Sequence, residues 1–298
     1  MDTTPPHGPT AREQLTPAEQ LAVAALVATA QSHDGHGVKL NTAMLARRPT
    51  GQANDFCWYD HGTLVGYAPL DPFGPSCELT AIVHPAHCRQ GLARALVASA
   101  TAETRRRGLT ELLLVNVRES ASGRAFAAAH GLTLASGEYH LALTTSTPPT
   151  IPPGPWRVRQ AGPADLDALV ALLVASFATP DDEARTWTAE NLTRPGAREY
   201  VAELDGTIVG KLAILPEDGG IYLRAFGVLP AHRGRGHGRH LLAATIATLH
   251  AAGHRHFSLD VATTNRNALG LYESCGFRVI TAYEYYDGLL ARYDSVSE

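Results

Sequence analysis

The chain is poor in cysteine and in charge, and it contains no long apolar run. Its four cysteines include no C-x-x-C pair, so neither a zinc site nor a disulfide framework is expected. The sequence therefore predicts no metal and suits a reducing cytoplasm. The apolar run LAVAALVATA, which begins at Leu21, is too short to span a bilayer and has no basic flank. Neither a membrane partner nor a signal peptide is expected.

Charged residues make up only 18% of the 298 residues, and apolar residues make up 45%. This composition is ordinary for a folded globular protein and excludes a largely disordered chain. The net charge is −4, whereas a general nucleic-acid-binding protein is expected to be basic. No nucleic-acid partner is therefore predicted. A chain of 298 residues is long for a single hydrophobic core and suits two domains.

The sequence contains an internal repeat. The segment PAHCRQGLARALVA begins at Pro85, and the similar segment PAHRGRGHGRHLLA begins 145 residues later, at Pro230. Gly131 in AAAHGL and Gly276 in YESCGF are separated by the same distance. A constant offset between several matching segments indicates a duplicated domain.

A proline-rich segment, TTSTPPTIPPGP, separates the two copies. Prolines at this density favour an extended linker over a helix or a central strand. The predicted organisation is an N-terminal domain over residues 1–146, a linker over 147–155 and a C-terminal domain over 156–298.

Each copy has the same order of predicted elements. An amphipathic helix is followed by a hairpin, a further strand, a glycine-containing turn and a long helix. In the second copy the hairpin turn is Asp205–Gly206, a signal for a tight type I′ turn, and the next strand and long helix are Ile221–Val228 and His237–Ala252. A strand, a short helix and terminal strands complete each copy. This order predicts an α/β fold, with a mixed α+β sheet and helices on both faces.

The turn before the second long helix contains alternate glycines among cations, in the sequence RGRGHGRH from Arg233 to His240. A helix N-terminus presents unpaired backbone N–H groups and a partial positive charge. Glycines let this backbone approach a ligand closely, so that successive N–H groups surround an anion such as a diphosphate. The spacing fits neither a Walker loop nor a Rossmann fingerprint. A simple loop of solvated cations is the alternative interpretation.

Together with the segment NRNALGLYESCGF, this glycine cluster resembles the GNAT superfamily of acyl-CoA-dependent N-acyltransferases. The family's first motif, Arg/Gln-x-x-Gly-x-Gly/Ala, is met by Arg233, Gly236 and Gly238. Its second motif, Asn-x-x-Ala-x-x-x-Tyr-x-x-x-Gly-Phe, is met by Asn265, Ala268, Tyr272, Gly276 and Phe277. The resemblance extends from Trp156 to about Tyr293 and, in a less complete form, over the first copy. The whole chain resembles the tandem GNAT proteins, of which mycothiol synthases are the best-known type.

The resemblance implies that acetyl-CoA is the co-substrate and enters where the strand Ile221–Val228 parts from its neighbour. Tyr272 matches the acid that protonates the departing thiolate, and Asn265 matches a residue that bonds the pantetheine arm. The implied cofactor-binding residues are Phe226, Gly227, Val228, Arg233, Gly234, Arg235, Gly236, His237, Gly238, Arg239, Asn265 and Tyr272. The reaction would be direct attack by an amine on the thioester, without a covalent enzyme intermediate.

The general base is the point at which the sequence departs from this pattern. In mycothiol synthases a glutamate near the start of the matching strand serves as base, and the matching position here is Tyr222. A phenol, which titrates near ~10, is a poor base at neutral pH. The alternatives are Glu217 and Asp218 in the preceding turn, Asp260 and Glu284. The candidate catalytic residues are therefore Tyr272, Tyr222 and Glu217.

Two segments are candidates for the acceptor site. The acidic cluster Asp181–Glu183 can attract a cationic amine, or can simply complement the N-terminus of a helix. The aromatic segment Tyr283–Asp287 can line a pocket, or can serve only for strand pairing.

The first copy is degenerate at the motif positions. It has Cys88 where the second has Arg233, and Arg89 in place of Gly234 is expected to restrict a turn that needs positive φ. The positions of Tyr272 and Asn265 are occupied by Ala127 and Ser120. The first copy is therefore expected to be structural or to shape the substrate, although binding of a CoA-like anion stays open.

The sequence thus predicts an acetyl-CoA-dependent N-acetyltransferase whose active site lies in the C-terminal domain. Its acceptor is predicted to be a small-molecule or peptide amine, and the protein a monomer or homodimer. The alternative function is a non-enzymatic acyl-CoA-binding sensor or scaffold, favoured by the tyrosine at the base position.

Overall fold

The computed structural model describes residues 8–45, 48–73, 76–217 and 219–293. The strands are β1 (Thr10–Arg12), β2 (Asp55–Asp60), β3 (Thr63–Phe73), β4 (Ser76–Leu79), β5 (Ile82–Val83), β6 (Glu111–Val117), β7 (Thr133–Leu143), β8 (Arg157–Gln160), β9 (Arg198–Leu204), β10 (Thr207–Glu217), β11 (Gly220–Val228), β12 (Phe257–Ala262) and β13 (Phe277–Asp287). The α-helices are α1 (Pro17–Asp34), α2 (Thr42–Leu45), α3 (Leu92–Arg106), α4 (Ala121–Ala129), α5 (Leu166–Phe177), α6 (Asp181–Thr193), α7 (His237–Ala251), α8 (Arg266–Ser274) and α9 (Leu289–Arg292).

The chain divides into two units, and the first of these is built from two separate segments of the sequence. The first unit comprises Met1–Glu138 and Thr281–Glu298, and the second comprises Tyr139–Ile280. The strands β7 and β13 therefore each contribute residues to both units. The predicted domain limits at residues 146 and 156 instead follow the proline-rich segment, which forms neither helix nor strand between residues 144 and 156.

In the first unit, β1, β2, β3, β4, β6 and the later residues of β13 are neighbours in that order. The pair β4–β6 is parallel, and the other pairs are antiparallel. The aromatic segment Tyr283–Asp287 lies in β13, where Tyr283 to Tyr286 pair with Val117 to Leu114 of β6. The segment thus pairs as a strand, and its role in lining a pocket stays a prediction.

In the second unit, the strand order is β7, β12, β11, β10, β9 and β8. The pair β11–β12 is parallel, and β8 to β11 are antiparallel. The hairpin β9–β10 turns at Asp205 and Gly206, whose φ angles are 49° and 78°. Positive φ at both residues is the geometry of the predicted type I′ turn.

Helices cover both faces of the second unit's sheet, as predicted. We call the side packed by α7 and α8 the core face; its buried cluster includes Ile221, Leu223, Leu241, Leu242, Ile246, Phe257, Leu259 and Tyr272. We call the opposite side the α5 face, where Val170 and Leu173 of α5 and Ala184 of α6 form a separate cluster. Because side chains alternate along a strand, Tyr222 and Arg224 lie on the α5 face between core residues.

The α5 face contains a fully buried ion pair. Lys211 on β10 and Glu199 on β9 each have fully buried side chains, and Lys211 Nζ lies 3.3 Å from Glu199 Oε1. Asn191 of α6 donates to the same carboxylate oxygen at 2.7 Å. The Trp187 ring lies 4.7 Å from Lys211 Nζ, and the Arg224 guanidinium lies 4.7 Å from the same ring. Burial lowers the pKa of Lys211, and Glu199 opposes this shift.

The acidic cluster Asp181–Glu183 occupies the first turn of α6. Three carboxylates there complement the partial positive charge of the helix N-terminus. This placement matches the structural interpretation of the cluster, and its role toward an amine stays a prediction.

Among the described residues, no helix combines the length and apolar character that crossing a membrane requires. The same ranges contain no group of three or more histidine, cysteine, aspartate or glutamate residues arranged to hold a metal ion.

The buried ion pair generates a stability prediction. Glu199→Ala leaves the Lys211 ammonium buried without its carboxylate, which typically costs about 3–5 kcal/mol of unfolding free energy. Denaturant titration of purified protein measures the loss. The control is Glu203→Ala on the same strand, whose bridge to Arg159 is partly solvated and should cost at most about 1 kcal/mol. Equal losses in the two variants would contradict the assignment.

Candidate acetyl-CoA site

The two central parallel strands of the second unit part halfway along their length. β11 pairs with β12 from Ile221–Phe257 to Leu223–Leu259. Beyond Leu223, β11 continues to Val228 and is paired on its other side with β10, as far as Gly210. A bulge accompanies the parting, since Ala225 has a φ of 47° and the β10 register shifts between Lys211 and Ala213.

The parted edge of β11 is the place where the sequence predicted that acetyl-CoA enters. It carries three of the predicted cofactor-binding residues, Phe226, Gly227 and Val228. A strand edge without a neighbouring strand presents N–H and C=O groups to an extended ligand. A pantetheine arm, which has two amide groups, suits such an edge.

The glycine cluster forms a turn that leads into α7. Gly234 and Gly236 have φ angles of 74° and 85°, which glycine adopts without strain. Gly236 is the N-cap residue and provides no side chain, and the first backbone bond of the helix is donated by His240 to Gly236. The N–H groups of His237, Gly238 and Arg239 therefore have no acceptor within the helix, and they are available to an anion.

Close packing, and not a positive φ angle, accounts for glycine at position 238. A Cβ atom added at this position would lie 3.0 Å from Leu271 Cδ1 and 3.3 Å from Phe226 Cζ. The start of α7 is therefore packed closely against both β11 and α8. This contact sets the distance between the amide turn and the parted strand edge.

The cations of the turn have different surroundings. Arg235 and Arg239 are exposed and can attract phosphate. Arg233 is also exposed, but its Nε donates to the carbonyl of Val228 at 2.9 Å, so this arginine ties the turn to the end of β11. His237 is only 4% exposed, and its ring centroid lies 5.6 Å from that of His232.

A tryptophan that the sequence analysis did not assign lies beneath this turn. The Trp156 ring centroid is 4.8 Å from that of His237 and 4.8 Å from that of His240. His240 Nδ1 is hydrogen-bonded to the carbonyl of Pro152 at 2.8 Å. Burial lowers the pKa of His237, and the nearby His232 and arginine charges lower it further. The turn thus packs on the aromatic rings of Trp156, His237 and His240.

Tyr272 lies on the core face beside the parted edge. It is 7% exposed, and its ring centroid is 5.9 Å from that of Phe226 on β11 and 6.1 Å from that of Phe277. Burial raises the pKa of its hydroxyl. The residue therefore stays protonated at neutral pH, as an acid must before it acts.

Asn265 has a structural role in the described residues. Its Oδ1 accepts a hydrogen bond from the N–H of Ala268 at 3.1 Å and so caps the N-terminus of α8. Ser120 caps α4 in the first unit in the same way, through a bond from Gly123 N at 3.1 Å. The motif position is thus a helix cap in both copies, and its contact with pantetheine stays a prediction.

The candidate bases occupy different places. Tyr222 donates its hydroxyl to Asp260 Oδ2 at 3.0 Å on the α5 face. Glu217 pairs with Gly220 at the hairpin turn, away from the parting of the strands, and Asp218 lies outside the described residues. Glu284 belongs to the first unit, where Arg118 and Tyr286 donate to it at 3.1 and 2.8 Å.

The first unit retains the turn but has no tyrosine at the position of Tyr272. Arg89 and Gly91 have φ angles of 64° and 88°, close to those of Gly234 and Gly236. The expected restriction at Arg89 is therefore wrong, because this arginine adopts the left-handed conformation despite its side chain. Ala127, at the position of Tyr272, is fully buried and has no hydroxyl.

The comparisons with known proteins agree with this geometry. Residues 22–131 and 166–277 each match the Acetyltransferase (GNAT) family. The chain belongs to this family, and it is an acetyltransferase with two GNAT domains in a mixed α/β fold. The family uses acetyl-CoA.

Among individual relatives, the chain is 35% identical over 284 residues to a mycothiol acetyltransferase from Thermobispora bispora, covering 88% of this chain and 93% of that protein. It is 30% identical to the mycothiol acetyltransferase of Streptomyces coelicolor, covering 93% and 94%. The fold is similar to a GCN5-related N-acetyltransferase from Sphaerobacter thermophilus, with a TM-score of 0.79, 22% identity and 96% of both chains covered. A tandem GNAT protein from the clavulanic acid pathway gives a TM-score of 0.69 at 18% identity, covering 94% and 97%.

The close contact at Gly238 generates a binding prediction. Gly238→Val pushes the start of α7 away from Phe226 and Leu271, which should lower acetyl-CoA affinity by at least about tenfold, or 1.4 kcal/mol. Titration calorimetry measures the affinity. The control is Gly270→Val in α8, where an added Cβ has no neighbour within 4 Å and affinity should be retained. Unchanged binding by the Gly238 variant would contradict the packing argument.

Proposed function

We propose that this acetyltransferase acts through its second unit, transferring the acetyl group of acetyl-CoA to a primary amine by direct attack. The observation that carries the proposal is the position of Tyr272, which contacts Phe226 on the edge of β11 that parts from β12. In the first unit the equivalent position is Ala127, so that unit lacks a comparable acid. Its role is to support the fold or shape the acceptor site.

In the proposed complex, the diphosphate of acetyl-CoA lies on the amides that begin α7. The exposed guanidinium groups of Arg235 and Arg239 add long-range attraction to the phosphates. The pantetheine arm extends along Phe226, Gly227 and Val228 as an additional strand would. This placement brings the thioester to the gap between β11 and β12.

In the proposed reaction, the amine and the acid act from opposite faces of the sheet. The amine approaches from the α5 face and attacks the thioester carbonyl, whose oxygen is stabilised by a backbone N–H of β11. As the carbon–sulfur bond breaks, Tyr272 on the core face donates its proton to the thiolate. A buried, protonated phenol is suited to this step because it remains an acid until the thiolate forms.

We assign the amine precursor of mycothiol as the acceptor. The support is the likeness to mycothiol acetyltransferases over about nine-tenths of the chain. A small-molecule amine is thereby favoured over a peptide. Tyr222 in place of the family's glutamate requires that a different group receive the proton of this amine.

Removing the hydroxyl of Tyr272 tests the role of the acid. Tyr272→Phe should lower kcat by at least about a hundredfold, the range expected for a lost general acid, and should leave acetyl-CoA affinity unchanged. Steady-state kinetics and calorimetry measure the two quantities. Tyr200→Phe, another buried tyrosine of the same unit that is 6% exposed, should retain full kcat. An unchanged kcat in the Tyr272 variant would remove this residue from the mechanism.

An acceptor screen tests the function itself. Purified full-length protein is incubated with isotope-labelled acetyl-CoA and deacetylated mycothiol, glucosamine or a peptide with a free N-terminus. Mass spectrometry should show acetyl transfer to deacetylated mycothiol at the highest kcat/KM. Preferred transfer to another amine would overturn the acceptor assignment alone. A protein that neither binds acetyl-CoA nor acetylates any amine would overturn the whole proposal.

A further inference from the structure

We propose that His140 is the general base of the second unit, positioned by Asp260 and Tyr222. This inference rests on the proposed function. A general base is needed because Tyr222 stands where mycothiol synthases have a glutamate base. His140 lies within the strand segment GEYHLAL, and no motif of the sequence marks it.

The three side chains come from three neighbouring strands. His140 is on β7, Asp260 on β12 and Tyr222 on β11, and these strands are adjacent in this order in the sheet. His140 Nδ1 lies 2.7 Å from Asp260 Oδ1, and the Tyr222 hydroxyl lies 3.0 Å from Asp260 Oδ2. Each carboxylate oxygen of Asp260 therefore accepts a different donor.

The cluster lies where the two central strands part. Leu259 is the last residue of β12 that pairs with β11, and Asp260 is the next residue. Leu259 and Val261 belong to the cluster on the core face, so the alternation of the strand places Asp260 on the α5 face. The cluster and Tyr272 thus lie on opposite sides of the sheet at the same gap.

The Asp260 and His140 side chains differ in their exposure to solvent. The Asp260 side chain is 13% exposed and the His140 side chain is 27% exposed. The carboxylate is largely shielded, while the imidazole reaches solvent. Both carboxylate oxygens of Asp260 already accept a hydrogen bond, so the carboxylate is less open to a substrate proton. The imidazole is the more accessible of the two groups, and histidine is the side chain that most often acts as a general base.

The hydrogen bond to Asp260 also selects the tautomer. A neutral imidazole that donates from Nδ1 carries its lone pair on Nε2, and the same carboxylate stabilises the imidazolium once a proton arrives. Tyr222, which holds the other oxygen of Asp260, is a positioning residue in this arrangement. A histidine oriented by an aspartate in this way also serves as the general base in Ser-His-Asp triads.

The proposed step balances in protons and electrons. The acceptor ammonium gives one proton to His140 Nε2, and the neutral nitrogen forms a bond to the thioester carbon. The carbon–sulfur bond breaks with its electron pair on sulfur, and Tyr272 protonates the thiolate. The second proton lost by nitrogen returns to Tyr272 through solvent, and His140 releases its proton to solvent. The products are an acetamide, free CoA thiol and one proton.

The test uses the full-length protein with deacetylated mycothiol and acetyl-CoA as substrates. His140→Ala should lower kcat by about 10²–10⁴-fold, as expected for a lost general base, with acetyl-CoA affinity unchanged. Added imidazole should restore part of this loss in a saturable way. Asp260→Asn should also lower kcat, and imidazole should not restore it while His140 is present. The control His254→Ala, an exposed histidine of the same unit, should behave as wild type.

Three outcomes would overturn the inference. They are an unchanged kcat in His140→Ala, a loss that imidazole does not restore although the variant still binds acetyl-CoA, and an equal loss in the His254 control. These results are distinct from failure of the proposed function, in which the wild-type protein itself would acetylate no amine. Circular dichroism and acetyl-CoA calorimetry confirm that each variant is folded.

Discussion

The amide groups at the start of α7 are the feature on which the rest of the candidate site depends. A helix that begins at glycine has no side chain with which to cap its own first N–H groups, so these groups need an external acceptor. Close packing of Gly238 against Phe226 and Leu271 holds the amides beside the parted edge of β11. In the proposed complex, the diphosphate on the amides and the extended arm on the edge are therefore held at a distance that this packing fixes.

Where β11 parts from β12, the two faces of the second unit's sheet carry different kinds of side chain. On the core face, apolar packing holds Tyr272 in its protonated form. On the α5 face, the alternation of the same strands places polar side chains, among them Tyr222 and Asp260. The buried ion pair of Lys211 and Glu199 lies on the same face. In the proposed mechanism, the acid and the base therefore lie on opposite faces of the sheet at one gap.

Comparison of the two units shows which parts of the repeat are structural. Both keep a turn with positive φ before the long helix, even where Arg89 replaces glycine, and both cap the short helix with a polar residue, Ser120 or Asn265. Only the second has a hydroxyl at the position of Tyr272. The shared features maintain the backbone of the fold, while the buried tyrosine is specific to one unit. The likeness to mycothiol acetyltransferases extends over both units.

The sequence by itself determined the repeat, the order of the elements, the family and the turn before α7, because these follow from local signals such as glycine spacing, the Asp205–Gly206 turn and side-chain periodicity. Only the tertiary structure decided which side chains meet. His140 lies 120 residues from Asp260, and Trp156 lies far along the chain from His237 and His240. No local pattern encodes such contacts, since strand order and register bring them together. The division of β7 and β13 between the units was likewise settled by strand pairing and not by the proline-rich segment.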